Sequence, residues 1–241
     1  MKKIELAVMI LLLAALLSAG SYLKNQVSSD KVKADGNLIV VDCGHGENDP
    51  GKIGVNDVLE KDINLKIGKL LEKRLKKKGY KVVMTRTEDK ILADEGSNNR
   101  KAEDMKARVA LINKERPALA VSVHQNSYHE AGVKGAQVFY YSHSAEGEAA
   151  AAIMQKALLN ADPGNTRQAK SNESYYLLKR TEVPTIIVEC GFLSNPEEAE
   201  LLASEEYQKK IADAIAEGTE MYLNSSGFDT VHRSVHSLHR P

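Results

Sequence analysis

Two histidines and two glutamates in this chain stand where metal-assisted chemistry could be built. His45 lies in Asp42-Cys43-Gly44-His45-Gly46, His124 in His124-Gln125-Asn126, and Glu189 in Glu189-Cys190-Gly191. Each run follows directly on a short apolar segment. Two imidazoles and one carboxylate form the donor set of a catalytic zinc, which leaves a fourth position for water. A further carboxylate beside such a site can take a proton from that water. The carboxylate that would complete the donor set is Glu60. On a helix it falls near the middle of the stripe made by Ile63, Ile67, Leu70 and Leu71, where a charge is costly unless paired or bound to a metal. The bland alternative is that Glu60 complements the dipole of a helix's first turn, which would suit any angular position. For Glu189 the alternative is an ion pair at a strand end, for example with Arg86 or Arg108. The intervals between these residues are long, and there is no H-E-x-x-H. Taken singly, each histidine fits an ordinary polar role; the case rests on their arriving together.

The elements that must position them can be read from periodicity. Leu38 to Val41 is a buried strand, rich in β-branched residues, and residues 60–78 form a helix with Lys61, Lys66, Lys69 and Lys73 off its apolar face. Further strands are expected at 80–85, 119–123, 136–141 and 185–188, and further helices at 101–115, 145–160 and, as one or two pieces, 196–223. Pro117 closes the second helix, and Asp162-Pro163-Gly164 closes the third. Strands alternating with helices predict a single three-layer α/β domain, its largely parallel twisted sheet covered by helices on both faces. In such sheets ligands bind in the crevice beyond the carboxyl ends of the strands. If the strands before His45, His124 and Glu189 are parallel neighbours, the three side chains converge there. Gly44 and Gly46 allow the sharp turn that would aim His45 inward.

Composition narrows the function classes. Of 241 residues, 33 are lysine or arginine and 33 aspartate or glutamate, so no polyanionic partner such as nucleic acid is expected. Gly46 to Lys52 mimics a phosphate-binding loop, but Ile53 stands where a magnesium-binding hydroxyl is needed. Glu47 and Asp49 would also face the phosphates, and Pro50 removes an amide, so a nucleotide site is rejected. Lys2 and Lys3 precede an apolar run from Leu6 to Leu17 that closes on small residues, the pattern of an export signal. Leu6 to Leu23 spans about 27 Å as a helix, slightly under a bilayer core of roughly 30 Å, so residues 1–23 read as a signal peptide or signal anchor that engages the membrane. Residues 24–37 read as a linker, residues 38–223 as the catalytic domain and residues 224–241 as a disordered tail, despite His232, His236 and His239. Cys43 and Cys190 read as small buried hydrophobes rather than a disulfide framework.

Four ordered motifs, Ile-Val-Val-Asp-Cys-Gly-His45-Gly, Leu-Glu60-Lys-Asp-Ile-Asn-Leu, Ser-Val-His124-Gln-Asn and Val-Glu189-Cys-Gly-Phe-Leu-Ser-Asn, resemble the zinc-dependent N-acetylmuramoyl-L-alanine amidases. The stretches Leu-Ala-Asp-Glu-Gly-Ser, Gly-Ala-Gln-Val-Phe-Tyr-Tyr and Asn-Thr-Arg-Gln-Ala-Lys look most like the germination-specific, CwlD-type branch, whose members act on spore cortex. The resemblance implies one zinc held by His45, Glu60 and His124. It implies that Glu189 takes the water proton and returns it to the leaving amine of L-alanine. The bond cut would join the lactyl group of N-acetylmuramic acid to the stem peptide of peptidoglycan, outside the cytoplasmic membrane, with Asn126 and Arg86 helping to position substrate and a protein activator as a further partner. Two departures stand out: the family has proline where Cys43 stands and a second glycine where Glu47 stands. The competing expectations are a non-catalytic wall-binding protein on the same fold and a zinc peptidase acting on stem peptides.

Overall fold

The computed structural model describes residues 35–226. Six strands form one sheet: β1 (Asp35–Cys43), β2 (Lys81–Met84), β3 (Pro117–Asn126), β4 (Gln137–Tyr141), β5 (Lys170–Asn172) and β6 (Thr185–Phe192). Their order is β2-β1-β3-β6-β4-β5. The first four are parallel, β4 runs antiparallel to β6, and β5 runs parallel to β4. The described residues are therefore a single α/β domain with a mixed, mostly parallel sheet.

Alternation along the strands explains the three layers. Ile39, Val41 and Cys43 of β1 join Val121, Val123, Ile186 and Val188 on one face. There they pack against α1 (Glu60–Lys77), α3 (Ala145–Ala161) and α6 (Glu205–Ser225). Val40, Ala120, Ile187 and Phe139 point the other way, onto α2 (Arg100–Glu115) and the short α4 (Tyr176–Arg180). Strands buried on both faces read as continuous apolar runs, as these do. The last helices are α5 (Pro196–Ala203) and α6, separated at Ser204, whose hydroxyl accepts from the Tyr207 amide as an N-cap. Both cysteines are free and buried, the bland reading of them.

Several boundaries moved. Residues 35–37, read as the end of a linker, already belong to β1. Strands β3 and β6 continue past His124 and Glu189, so these residues sit within the strands, opposite each other in register, rather than beyond them. Strand β5 and helix α4 had no counterpart in the sequence reading: Lys-Ser-Asn carries no apolar alternation, and five residues are too few to show a helical period. The apolar amino-terminal run and the three tail histidines lie outside the described residues. Among the described residues, no helix is long and apolar enough to cross a membrane.

Candidate active site

His45 is held on a loop whose shape is set by its own backbone. His45 (φ 63°) and Glu47 (φ 47°) are left-handed, as is Gly51 (φ 69°). Gly46 and Asp49 exchange backbone hydrogen bonds of 3.0 and 2.9 Å. The Glu47 amide donates to Asp89 Oδ1 and the Lys52 amide to Glu60 Oε2. With its amides spent in this way, the stretch from Gly46 to Lys52 makes no phosphate cradle, in keeping with its rejection as a nucleotide loop.

Two buried arginines clamp that loop from beneath. Arg108 donates to the carbonyls of Cys43 (2.6 Å) and His45 (2.8 Å), and it pairs with Asp42 and Asp104, each at 2.7 Å. Asp42 also accepts from Thr85 and Ser122. Arg86 donates to the carbonyls of Cys43, Gly44, Lys61 and Glu88. Neither arginine pairs with Glu189, so the alternative of an ion pair there is not what the structure shows, and Arg86, expected to help position substrate, directs four N–H groups to backbone carbonyls. Sequence reasoning missed the network of Asp42, Arg108 and Asp104. Its only local signal was the four-residue spacing of Asp104 and Arg108 on one helix face.

His45, Glu60 and His124 come together, with one donor atom from each lying within 4.8 Å of the others. Glu60 opens α1 and is only 2% exposed. Its Oε1 lies 3.2 Å from His45 Nε2 and 2.9 Å from His124 Nδ1. Burial works to raise the Glu60 carboxyl, but the hydrogen bonds and charges of His124 and His45 outweigh it and hold the group well below the usual carboxylate range. Burial likewise opposes protonation of His124, yet the bond to Glu60 pushes it up to about 9. The far nitrogen of His45 meets Asp49 Oδ2 at 2.9 Å, which fixes the ring's orientation. Close approach requires glycine twice. A Cβ at Gly44 would strike the His124 imidazole, and one at Gly51 would lie 2.5 Å from Glu60 Oε2 and 2.7 Å from His45 Cδ2.

Glu189 stands opposite His124 across the β3–β6 pairing, 7% exposed, and its buried Oε2 has no hydrogen-bond partner among the described residues. Burial pushes its carboxyl up to about 7, with His124 and His45 drawing it down and Glu60 raising it. Two cavities meet at this point. One is an open, polar groove of roughly 490 Å³ running past Lys52, Asn126 and Ser127. The other is a smaller pocket of roughly 140 Å³, walled by Met105, Leu177 and Ile187. Asn126 thus lies in the groove, its Oδ1 accepting from the Ser127 amide.

Residues 39–221 match the N-acetylmuramoyl-L-alanine amidase family. The chain belongs to that family. It is 40% identical over 195 residues to the germination-specific N-acetylmuramoyl-L-alanine amidase of Bacillus subtilis, an alignment covering 80% of this chain and 82% of the relative. Among solved structures it is similar to the CwlD amidase of Clostridioides difficile, determined in complex with the GerS lipoprotein. The TM-score is 0.76 at 35% identity, covering 78% of this chain and 99% of that one. The amidase AmiC2 of Nostoc punctiforme superposes with a TM-score of 0.69 at 31% identity, covering 80% of this chain and 99% of the other. The amidase fold is thus shared across nearly the whole length of these relatives. Glu47, the departure from the family's glycine, forms a 2.6 Å ion pair with Arg100, which fastens the His45 loop to the first turn of α2.

Proposed function

We propose that this amidase works with one zinc ion held by His45, Glu60 and His124, and that Glu189 is its general base. The observation that carries the reading is the gathering of those three donors beside a buried carboxylate oxygen with no partner of its own. The donors fit zinc: two imidazole nitrogens and one carboxylate oxygen, with room for a further ligand from the cavities. Bound there, zinc would supply Lewis acidity toward the scissile carbonyl and toward water. Glu189 takes a proton from the attacking water as the new C–O bond forms. It then gives a proton to the nitrogen of L-alanine as the C–N bond to the lactyl group of N-acetylmuramic acid breaks. Asn126, which lines the groove, helps to seat the substrate.

The setting we propose is the spore cortex, supported by likeness to a germination-specific relative. Export by the amino-terminal segment would carry the enzyme to peptidoglycan outside the cytoplasmic membrane. A protein activator is a further proposed partner, supported by the lipoprotein in the complex of the C. difficile neighbour. Digestion of peptidoglycan by the purified chain tests the bond. New L-alanine amino termini and peptide-free glycan strands are expected, with no new reducing ends. Release of D-alanine or of cross-bridge termini, with alanine still on muramic acid, would reject the reading in favour of a peptidase.

A further inference from the structure

We propose that the Tyr175 hydroxyl donates a hydrogen bond to the carbonyl oxygen of the scissile amide. Six residues line both cavities, where the two meet: His45, Asp49, Lys101, His124, Tyr175 and Glu189. An amide under attack by water builds negative charge on its carbonyl oxygen, and a donor already aimed at that oxygen stabilises the transition state. The other five are engaged elsewhere or less suited to that part. His45 is committed to Glu60 and Asp49, and His124 to Glu60. Asp49 is held as an acceptor by His45 and Lys101, and Glu189 serves the attacking water in the proposed reaction. Lys101 pairs with Asp49 at 3.2 Å, and its side chain is 71% exposed to solvent.

Tyr175 differs on each count. Among the described residues no group hydrogen-bonds its hydroxyl. The ring is fixed edge-on against Phe139, with centroids 5.6 Å apart and planes at 77°. Its amide donates to Asn172 Oδ1 at 2.7 Å, an acceptor shared with the Ser174 amide at the head of α4. Burial, reinforced by the charges of Glu189 and Glu60, pushes the phenol up to about 12, so it keeps its proton at working pH. A residue that lines both cavities on a packed ring and carries a neutral, unspent donor is suited to a developing oxyanion.

This role rests on the proposed use of Glu189 and the metal set, and the test separates the two. Tyr175→Phe in the full chain keeps the ring against Phe139 and removes only the hydroxyl. On a soluble N-acetylmuramoyl peptide, kcat should fall on the order of 10²-fold while KM stays within about twofold. Zinc content and melting temperature should match the parent. Unchanged kcat, or a raised KM at unchanged kcat, overturns the assignment, as does loss of zinc or of thermal stability in the variant. If Tyr175→Phe turns over normally while Glu189→Gln is inactive, the tyrosine alone is rejected. If Glu189→Gln is active, it is the base assignment that fails.

Discussion

At the scale of single residues, the site divides into groups that hold and one that acts. His124 touches Glu60 on one side and lies opposite Glu189 on the other. Replacing it by alanine should empty the site of zinc, read by metal analysis of the purified chain, while circular dichroism shows the sheet and helices intact. Full zinc occupancy in His124→Ala would refute the ligand set. Among the described residues Glu189 makes no ion pair, so Glu189→Gln removes a base without releasing a buried cation. Zinc should stay, and turnover should drop by roughly 10²–10⁴-fold, the usual span for general-base catalysis. Near-normal turnover would mean that another group takes the proton.

At the scale of elements, the loop after β1 and the start of α2 are joined through buried charge. Asp42 accepts from Arg108, Thr85 and Ser122, so Asp42→Asn leaves Arg108 without its strongest partner. Breaking a buried pair in this way costs about 3–5 kcal/mol, to be measured by denaturant unfolding. The pH dependence follows from the direction of the shift. Burial acts to raise the Asp42 carboxyl, but Arg108 and the Ser122 bond outweigh it, and the folded value lies below the ordinary 3.8. The stability it contributes is therefore complete above that ordinary value and is lost as pH falls through the lower folded one. The gap between wild type and Asp42→Asn should accordingly narrow on strong acidification. A gap that stays constant would remove Asp42 from the account. Gly44 tests the same loop sterically. Because a Cβ there collides with the His124 ring, Gly44→Ala should lose zinc and activity at a stability cost of about 1–3 kcal/mol, typical of overpacking.

At the scale of the whole molecule, the proposed place and task make a physiological prediction. A reporter active only in the cytoplasm, fused after Asn224, should stay silent if residues 1–23 direct export. In a spore-former that lacks this gene, cortex should form without muramic-δ-lactam, because the peptide must leave muramic acid before the lactam can close. Such spores should assemble normally and germinate poorly. Intact lactam would dismiss the cortex role and leave the amidase itself standing.

The strands that carry His45, His124 and Glu189 toward one place, and the burial of Glu60 on its helix, were legible in the sequence alone. Apolar runs buried on both faces announce a parallel sheet, and a carboxylate centred on an apolar helix face, as Glu60 is, must be paired or liganded. Ordered motifs then carried the family. What only the tertiary structure decided depends on contacts between residues far apart in the chain. In the sequence Arg86 and Arg108 stood as possible ion-pair partners of Glu189, and Arg86 as a substrate contact. Folding turns both onto carbonyls of the His45 loop, 42 or more positions away, because buried carbonyls without secondary-structure partners need donors. Tyr175, in a polar stretch before a helix too short to show a period, gave no local signal. It reaches the site because α4 packs against β6, the strand that carries Glu189, so that Tyr175 and Glu189 line one pocket. Local patterns reveal which groups are costly to bury; only the assembled sheet determines which partners they meet.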